Sequence, residues 1–98
     1  MAQMRLTRTL VQGLAAPEAG ECVVMDSELS GFGVRVMPSG VRTYFIRYRV
    51  GGGRRAPMRR LTIGRHGHLT PEQAREAAKR ALAAVALGGD PAADRSQA

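Results

Sequence analysis

Hydrophobic and polar residues alternate along three stretches in the middle of the chain, at 31–37, 41–50 and 58–64. A period of two residues is typical of β-strands that bury one face. The predicted apolar face carries Phe32, Val34, Val36, Tyr44, Ile46, Tyr48, Leu61 and Ile63. The predicted polar face carries Arg35, Thr43, Phe45, Arg47, Arg49, Arg60 and Thr62. We therefore predict three strands that form an antiparallel sheet with two chemically different faces.

The segments between these strands carry turn signals. Pro-Ser-Gly at 38–40 predicts a tight hairpin turn, and the glycine- and arginine-rich stretch 51–57 predicts a longer loop. Arg59 breaks the alternation, because parity places it beside Leu61 on the apolar face. A bulge, or an edge position that lets the side chain reach water, would resolve this conflict.

A C-terminal helix is predicted to begin after Thr70, because threonine, proline and glutamine at 70, 71 and 73 form a capping-box pattern. Its apolar stripe consists of Ala74, Ala77, Ala78, Ala81, Leu82 and Val85. Small alanine side chains allow a helix to lie close to a sheet, so we expect this stripe to cover the apolar face. Gly-Gly-Asp-Pro at 88–91 predicts the end of the helix.

The N-terminal third shows weaker patterns. Leucine and valine at helical spacing predict one or two helical turns within 6–14, with Thr7 or Thr9 as the cap, and Cys22–Asp26 predicts a short extra strand. The fold class is therefore α+β: a three-stranded antiparallel sheet with this extra strand, a C-terminal helix on one face and a short N-terminal helical turn. We expect one domain at 1–91 and the start of a linker at 92–98.

Positive charge is concentrated in the predicted sheet. The formal net charge is +7, and the segment from Arg35 to Arg65 holds nine arginines and no Asp or Glu. A solvated surface normally mixes charges of both signs, so this block predicts a polyanionic partner. The alternative is that the arginine count reflects the base composition of the genome.

One helix can cover only one face of the sheet, which leaves the arginine-rich face exposed. Such a surface suits the major groove of double-stranded DNA, where arginine binds guanine O6 and N7, and threonine or phenylalanine contacts the thymine methyl group. We predict that Arg35, Thr43, Phe45, Arg47, Arg49, Arg60 and Thr62 face the groove. The arginines in loops or at strand ends, Arg42, Arg54, Arg55 and Arg65, are predicted to bind phosphates.

Several short motifs occur in a characteristic order: DSELSGFGVRV at 26–36, PSG at 38–40, YFIRYR at 44–49, GGGRR at 51–55, LTIGR at 61–65, LTPEQAR at 69–75 and GGDP at 88–91. Over about residues 4–91 the chain resembles the N-terminal arm-type DNA-binding domain of prophage and genomic-island integrases, which are tyrosine recombinases. The resemblance implies a bacterial, cytoplasmic, DNA-associated protein that binds arm-type sites and positions an integrase for DNA integration and recombination. Because the catalytic residues of such integrases cannot be placed in this sequence, we expect a non-catalytic fragment, monomeric alone, whose partners are DNA and the remaining integrase domains.

No motif predicts a cofactor, a metal site or a catalytic site. His66 and His68 lack a third ligand nearby in sequence, Cys22 has no partner for a disulfide, and Tyr44 and Tyr48 fall on the apolar face as core aromatics. The sequence contains neither a secretory signal nor a long apolar segment, so we expect no membrane association.

Two other functions stay open. The polar face could bind RNA or single-stranded DNA by stacking a base on Phe45, although one exposed aromatic is fewer than such sheets usually offer. Alternatively, the domain could dock an acidic protein, or its edge strand could pair with another chain.

Overall fold

A computed structural model describes residues 2–49 and 58–87. Its elements in chain order are β1 (Ala2–Met4), α1 (Arg8–Gln12), β2 (Cys22–Asp26), β3 (Phe32–Val36), β4 (Arg42–Arg49), β5 (Met58–Arg65) and α2 (Pro71–Ala86). The predicted loop 51–57, the helix end at 88–91 and the linker 92–98 lie outside the described residues.

The strands of the described residues form one sheet in the order β1-β2-β3-β4-β5. Strands β2 to β5 pair antiparallel, which confirms the three predicted strands and the extra strand at 22–26. Strand β1 pairs parallel with β2 and was not predicted. The structure also confirms the predicted α+β class, with a C-terminal helix and a short N-terminal helix.

The predicted hairpin turn joins β3 and β4. Gly40 has a positive φ of 88°, and its amide donates to the Met37 carbonyl over 2.8 Å. The Met37 amide in turn donates to the Val41 carbonyl over 3.0 Å, which closes the hairpin.

Strand β5 resolves the conflict at Arg59. Tyr48 pairs with Arg59, so this arginine does lie on the apolar side of the sheet, but β5 is an edge strand and Arg59 is exposed. The register shifts between Tyr44 and Phe45, which makes Ile63 the extra residue of a bulge. The edge position therefore accommodates Arg59, and the bulge lies further along the strand.

The core lies between the apolar face of the sheet and the two helices. Its buried members are Leu6, Val11, Val24, Phe32, Val34, Tyr44, Ile46, Tyr48, Ala74 and Ala78. The small side chains of Ala74 and Ala78 are fully buried, so α2 lies close to the sheet and the aromatic rings fill the remaining space.

Both helices begin with side-chain caps. In α2, the Thr70 hydroxyl accepts from the Gln73 amide over 3.1 Å, and the Gln73 side chain accepts from the Thr70 amide over 3.0 Å. The predicted capping box is therefore confirmed. In α1, Thr7 is the cap, and its hydroxyl accepts from the Leu10 amide over 3.2 Å.

A buried ion pair joins α2 to the N-terminal half of the chain. Arg75 donates from Nε to Asp26 Oδ2 over 3.1 Å and from Nη2 to Asp26 Oδ1 over 3.1 Å. The same Nη2 donates to the Leu6 carbonyl over 2.8 Å. Asp26 also accepts from the amides of Leu6 and Leu29, so the carboxylate receives hydrogen bonds from three parts of the chain.

We predict that replacing Gly31 by alanine destabilises the fold more than replacing Gly20. Both glycines have a positive φ, but a Cβ on Gly31 would lie 2.8 Å from the Arg47 carbonyl oxygen, whereas one on Gly20 would meet nothing within 4 Å. Gly20→Ala should cost about 1 kcal/mol from backbone strain alone. Gly31→Ala should lower the free energy of unfolding, measured by urea denaturation, by more than about 2 kcal/mol. Equal urea midpoints for Gly20→Ala and Gly31→Ala would contradict the packing described.

We predict that acid weakens the fold through Asp26. Burial alone would raise the pKa of Asp26, but hydrogen bonds from Arg75 and from the Leu6 and Leu29 amides hold it below its ordinary value of 3.8. A carboxylate whose pKa is lowered on folding stabilises the fold above its unfolded pKa, and this contribution is lost as the pH falls through the folded pKa. Asp26→Asn should cost about 3 kcal/mol at neutral pH, because it removes the buried partner of Arg75 and leaves only the half-exposed Glu28, 3.8 Å from Arg75 Nε, as a counter-charge.

Thermal unfolding of both proteins from about pH 7 down to about pH 2 checks this. The difference in stability between wild type and Asp26→Asn should shrink as the pH falls. A difference that stays constant over this range would show that the Asp26 carboxylate does not contribute as described.

Candidate nucleic-acid interface

Among the described residues, both helices pack on one face of the sheet. We call the other side the open face. By strand register it carries Glu21, Val23, Met25, Gly33, Arg35, Thr43, Phe45, Arg47, Arg49, Met58, Arg60, Thr62 and Arg65. The structure therefore brings all seven predicted groove-facing residues onto one surface. Whether they contact DNA stays a prediction.

Phe45 does not have the exposure that the sequence led us to expect. Its side chain lies on the open face but is 0% exposed. The Arg60 guanidinium lies over the ring, with Cζ 4.7 Å from the ring centroid. On the other side, Phe45 pairs with Gly33, which in turn pairs with the buried Met25. The prediction of an exposed aromatic is wrong, and a direct contact between Phe45 and a base would require Arg60 to move aside.

Gly33 explains how these side chains fit together. A Cβ on Gly33 would lie 2.8 Å from Met25 Sδ and 2.9 Å from the Val24 carbonyl oxygen. Because Gly33 has no side chain, the Met25 side chain can occupy the space beside it, where β2 pairs with β3. The open face is thus built on a small apolar layer of its own.

Thr43, another of the predicted groove-facing residues, is only 7% exposed, so most of its side chain is inaccessible.

A carboxylate lies among the arginines of the open face. Glu21 Oε1 is 3.1 Å from Arg60 Nη1, and Glu21 Oε2 is 3.6 Å from Arg35 Nη1. The predicted polar face did not include Glu21, because it was assigned from the three strands that follow Gly31. The alternation of Glu21 with Val23 and Met25 was the signal that could have placed it on the open face.

Arg42 has structural partners that the sequence did not predict. Its guanidinium donates to the Gly40 carbonyl over 3.1 Å and to the Gln12 carbonyl over 3.3 Å, and it also bonds the Leu14 carbonyl. These bonds attach the segment after α1 to the beginning of β4. The guanidinium is therefore already engaged with the backbone, and a phosphate contact by Arg42 stays a prediction.

Arg65 and the loop arginines complete the predicted phosphate set. Arg65 is exposed at the end of β5, and its role at a phosphate stays a prediction. Arg54 and Arg55 lie outside the described residues. Next to Arg65 the open face has a shallow depression of about 520 Å³, which is also lined by Arg35, Ser39, Thr43 and Thr62. Its guanidinium and hydroxyl groups are donors of the kind that bind phosphate oxygens and base edges.

The side chains on the helix side have structural partners. The Tyr44 hydroxyl lies 2.7 Å from His66 Nδ1. Burial raises the pKa of Tyr44 to about 12, and Glu72 adds to the shift. Burial, with the nearby Arg42 and Arg8, lowers the pKa of His66. At neutral pH, Tyr44 is therefore a protonated core residue bonded to an imidazole.

Within 2–49 and 58–87, no three side chains of His, Cys, Asp or Glu are grouped so that they could hold a metal ion. No helix in this part of the chain is long and apolar enough to cross a membrane.

The domain is thus an α+β module whose sheet has helices on one face and a cluster of arginines on the other. Residues 6–98 match the sequence profile of the arm DNA-binding domain. The chain therefore belongs to the arm DNA-binding domain family, which is typical of the N-terminal domains of phage integrases. Domains of this family are non-catalytic and bind DNA, so the predicted DNA partner and the link to integration and recombination are confirmed at this level. A search of curated proteins finds no match to the chain.

We predict that Arg42→Ala lowers stability because it removes hydrogen bonds from a guanidinium to backbone carbonyls. The expected cost is about 1–3 kcal/mol in chemical denaturation. Arg65→Ala is the matched control, since Arg65 is exposed, and its effect should stay within about 0.5 kcal/mol. If Arg42→Ala were as stable as wild type, the structural role of these bonds would be contradicted. Weaker DNA binding by such a variant would support the predicted phosphate contact.

Proposed function

We propose that this domain binds double-stranded DNA by inserting its open face into the major groove. In doing so it positions a tyrosine-recombinase integrase on arm-type sites that flank the recombination core. The observation that supports this most directly is the placement of Arg35, Arg47, Arg49 and Arg60 on one face of a sheet whose other face is covered by helices.

The dimensions of the sheet are compatible with this mode of binding. Neighbouring strands lie about 4.8 Å apart, so β3, β4 and β5 span about 10 Å between their outer axes. The major groove of B-form DNA is about 12 Å wide and accepts a β-ribbon. The pair formed by β4 and β5 is the better candidate for insertion, because both strands have eight residues and β5 lies at the sheet edge.

The proposed roles follow the positions of the arginines. Arg35, Arg47, Arg49 and Arg60, with Thr62, project from the open face and would contact base edges. Arg65 at the end of β5, together with Arg54 and Arg55 from the sequence between β4 and β5, would bind phosphates on the flanking backbone. Phosphate contacts fix the register of the domain on DNA, and base contacts supply sequence preference.

The proposed setting is the N-terminal part of an integrase in the bacterial cytoplasm. In that setting residues 1–91 would form the DNA-binding domain, 92–98 would begin the linker, and the catalytic residues would lie in other domains of the parent chain. The domain by itself would be monomeric.

The structure argues against the RNA and single-strand alternative. Such binding depends on aromatic rings that stack on bases. Phe45, the aromatic proposed for that purpose, is fully buried beneath Arg60. No observation in the structure specifically favours docking of an acidic protein.

We predict that Arg47→Ala combined with Arg49→Ala weakens binding to duplex DNA. Fluorescence anisotropy with duplex, single-stranded DNA and RNA of equal length, at low and near-physiological salt, measures the effect. Because both arginines are proposed to contact base edges, the double variant should lose about 1–3 kcal/mol of binding free energy for each arginine at a preferred site. The slope of log K against log salt reports phosphate contacts, so it should change less. Wild type should prefer the duplex.

The matched control is Lys79→Ala combined with Arg80→Ala. It removes the same charge from two exposed residues of α2, on the covered side of the sheet. The control should bind DNA nearly as wild type does. Equal losses of duplex affinity in both double variants would mean that net charge, rather than the open face, determines binding. Similar affinities of wild type for duplex DNA, single-stranded DNA and RNA would contradict a groove-binding mode.

A further inference from the structure

We propose that Glu21 is a specificity-determining residue of the open face. Its carboxylate holds Arg35 and Arg60 side by side in a fixed arrangement, and its charge weakens binding to DNA of the wrong sequence. This inference rests on the proposed function, since it concerns how the same surface distinguishes one duplex from another.

The contacts place Glu21 between the two arginines. Arg60 Nη1 donates to Glu21 Oε1 over 3.1 Å and to Oε2 over 3.4 Å. Oε2 also lies 3.6 Å from Arg35 Nη1. All three side chains are partly buried, with 30–37% of their surface exposed. The charges are therefore less screened than on an open surface, while the outer edges of the guanidinium groups stay within reach of a ligand.

Arg60 is held from a second direction. Its guanidinium lies over the ring of Phe45, 4.7 Å from the centroid. Phe45 is fully buried, so the ring is a rigid support. A guanidinium that is stacked on a fixed ring and bonded to a carboxylate loses little conformational entropy when it binds a base.

Arg35 approaches Glu21 more loosely than Arg60 does, with 3.6 Å between Nη1 and Oε2. Its Nε is enclosed and has no hydrogen-bond partner among the described residues. Two guanidinium groups repel each other, and the carboxylate between them offsets that repulsion. Without it, we expect both side chains to separate and to follow phosphates instead of base edges.

The position of this negative charge has a second effect. Sequence-independent binding comes from attraction between arginines and phosphates, so a carboxylate within the arginine cluster reduces it. At the correct site this cost is offset, because aligned guanidinium groups bind guanine in a bidentate manner and a carboxylate accepts from cytosine N4. Glu21 thus increases the difference between specific and non-specific binding.

Glu21→Gln tests this, because it removes the charge and keeps the size of the side chain. Glu76→Gln is the matched control, since Glu76 forms an ion pair with Lys79 on the exposed surface of α2. The probes are a random-sequence duplex of about 20 base pairs and the duplex that wild type selects from a randomised pool. Thermal melts check that both variants remain folded.

Glu21→Gln should bind the random duplex about threefold or more tightly than wild type. Its ratio of affinities for the selected and random duplexes should fall about tenfold, and Glu76→Gln should keep the wild-type ratio. A pool selected with Glu21→Gln should also show weaker base preference than one selected with wild type.

Three results would overturn the inference. Equally tighter binding to both duplexes would make Glu21 a simple electrostatic competitor. Unchanged binding to both would place its carboxylate away from the DNA. If wild type selected no preferred duplex, the proposed function would fail together with this inference. When wild type does select a site, the affinity ratio alone decides the role of Glu21.

Discussion

The buried pair of Asp26 and Arg75 determines how the parts of this domain are joined. Arg75 extends from α2 to the end of β2 and binds both Asp26 and the Leu6 carbonyl, while its guanidinium carbon lies 5.9 Å from the centroid of the Phe32 ring. Asp26 in turn binds the amides of Leu6 and Leu29. The pair thereby ties α2 and the segment before α1 to the same side of the sheet. Since both helices are held on that side, the other side is left open.

The open face is more than the uncovered side of a sheet. Met25 and Phe45 are buried on it, Gly33 leaves them room, and Arg60 covers the Phe45 ring. A second, thin apolar layer therefore supports the charged side chains. Glu21 then bonds Arg60 and approaches Arg35, so part of the arginine cluster is ordered before any DNA is bound. This is the arrangement expected of a surface that distinguishes base edges rather than charge alone.

Much of the fold could be predicted because its signals are local. Alternation predicted β3, β4 and β5, and the capping box predicted the start of α2. The features that could not be predicted depend on residues distant in the sequence. Parity placed Phe45 on the correct face, but its burial depends on neighbours from three other strands. The backbone bonds of Arg42 could not be foreseen, because two of the carbonyls it binds, those of Gln12 and Leu14, lie far away in the sequence. Strand β1 is too short to show a pattern.

The most direct test of the open face is an NMR titration that follows the arginine Nε–Hε signals as duplex DNA is added. These signals report on the guanidinium groups themselves. They therefore distinguish the two faces of the sheet, which backbone signals cannot do because the same strands form both faces. We expect the Nε–Hε signals of four arginines on the open face to shift or broaden: Arg35, Arg47, Arg49 and Arg60. The signals of Arg59, Arg75 and Arg80 should change little. Larger changes at Arg59 and Arg80 would place DNA on the helix side and would contradict the account.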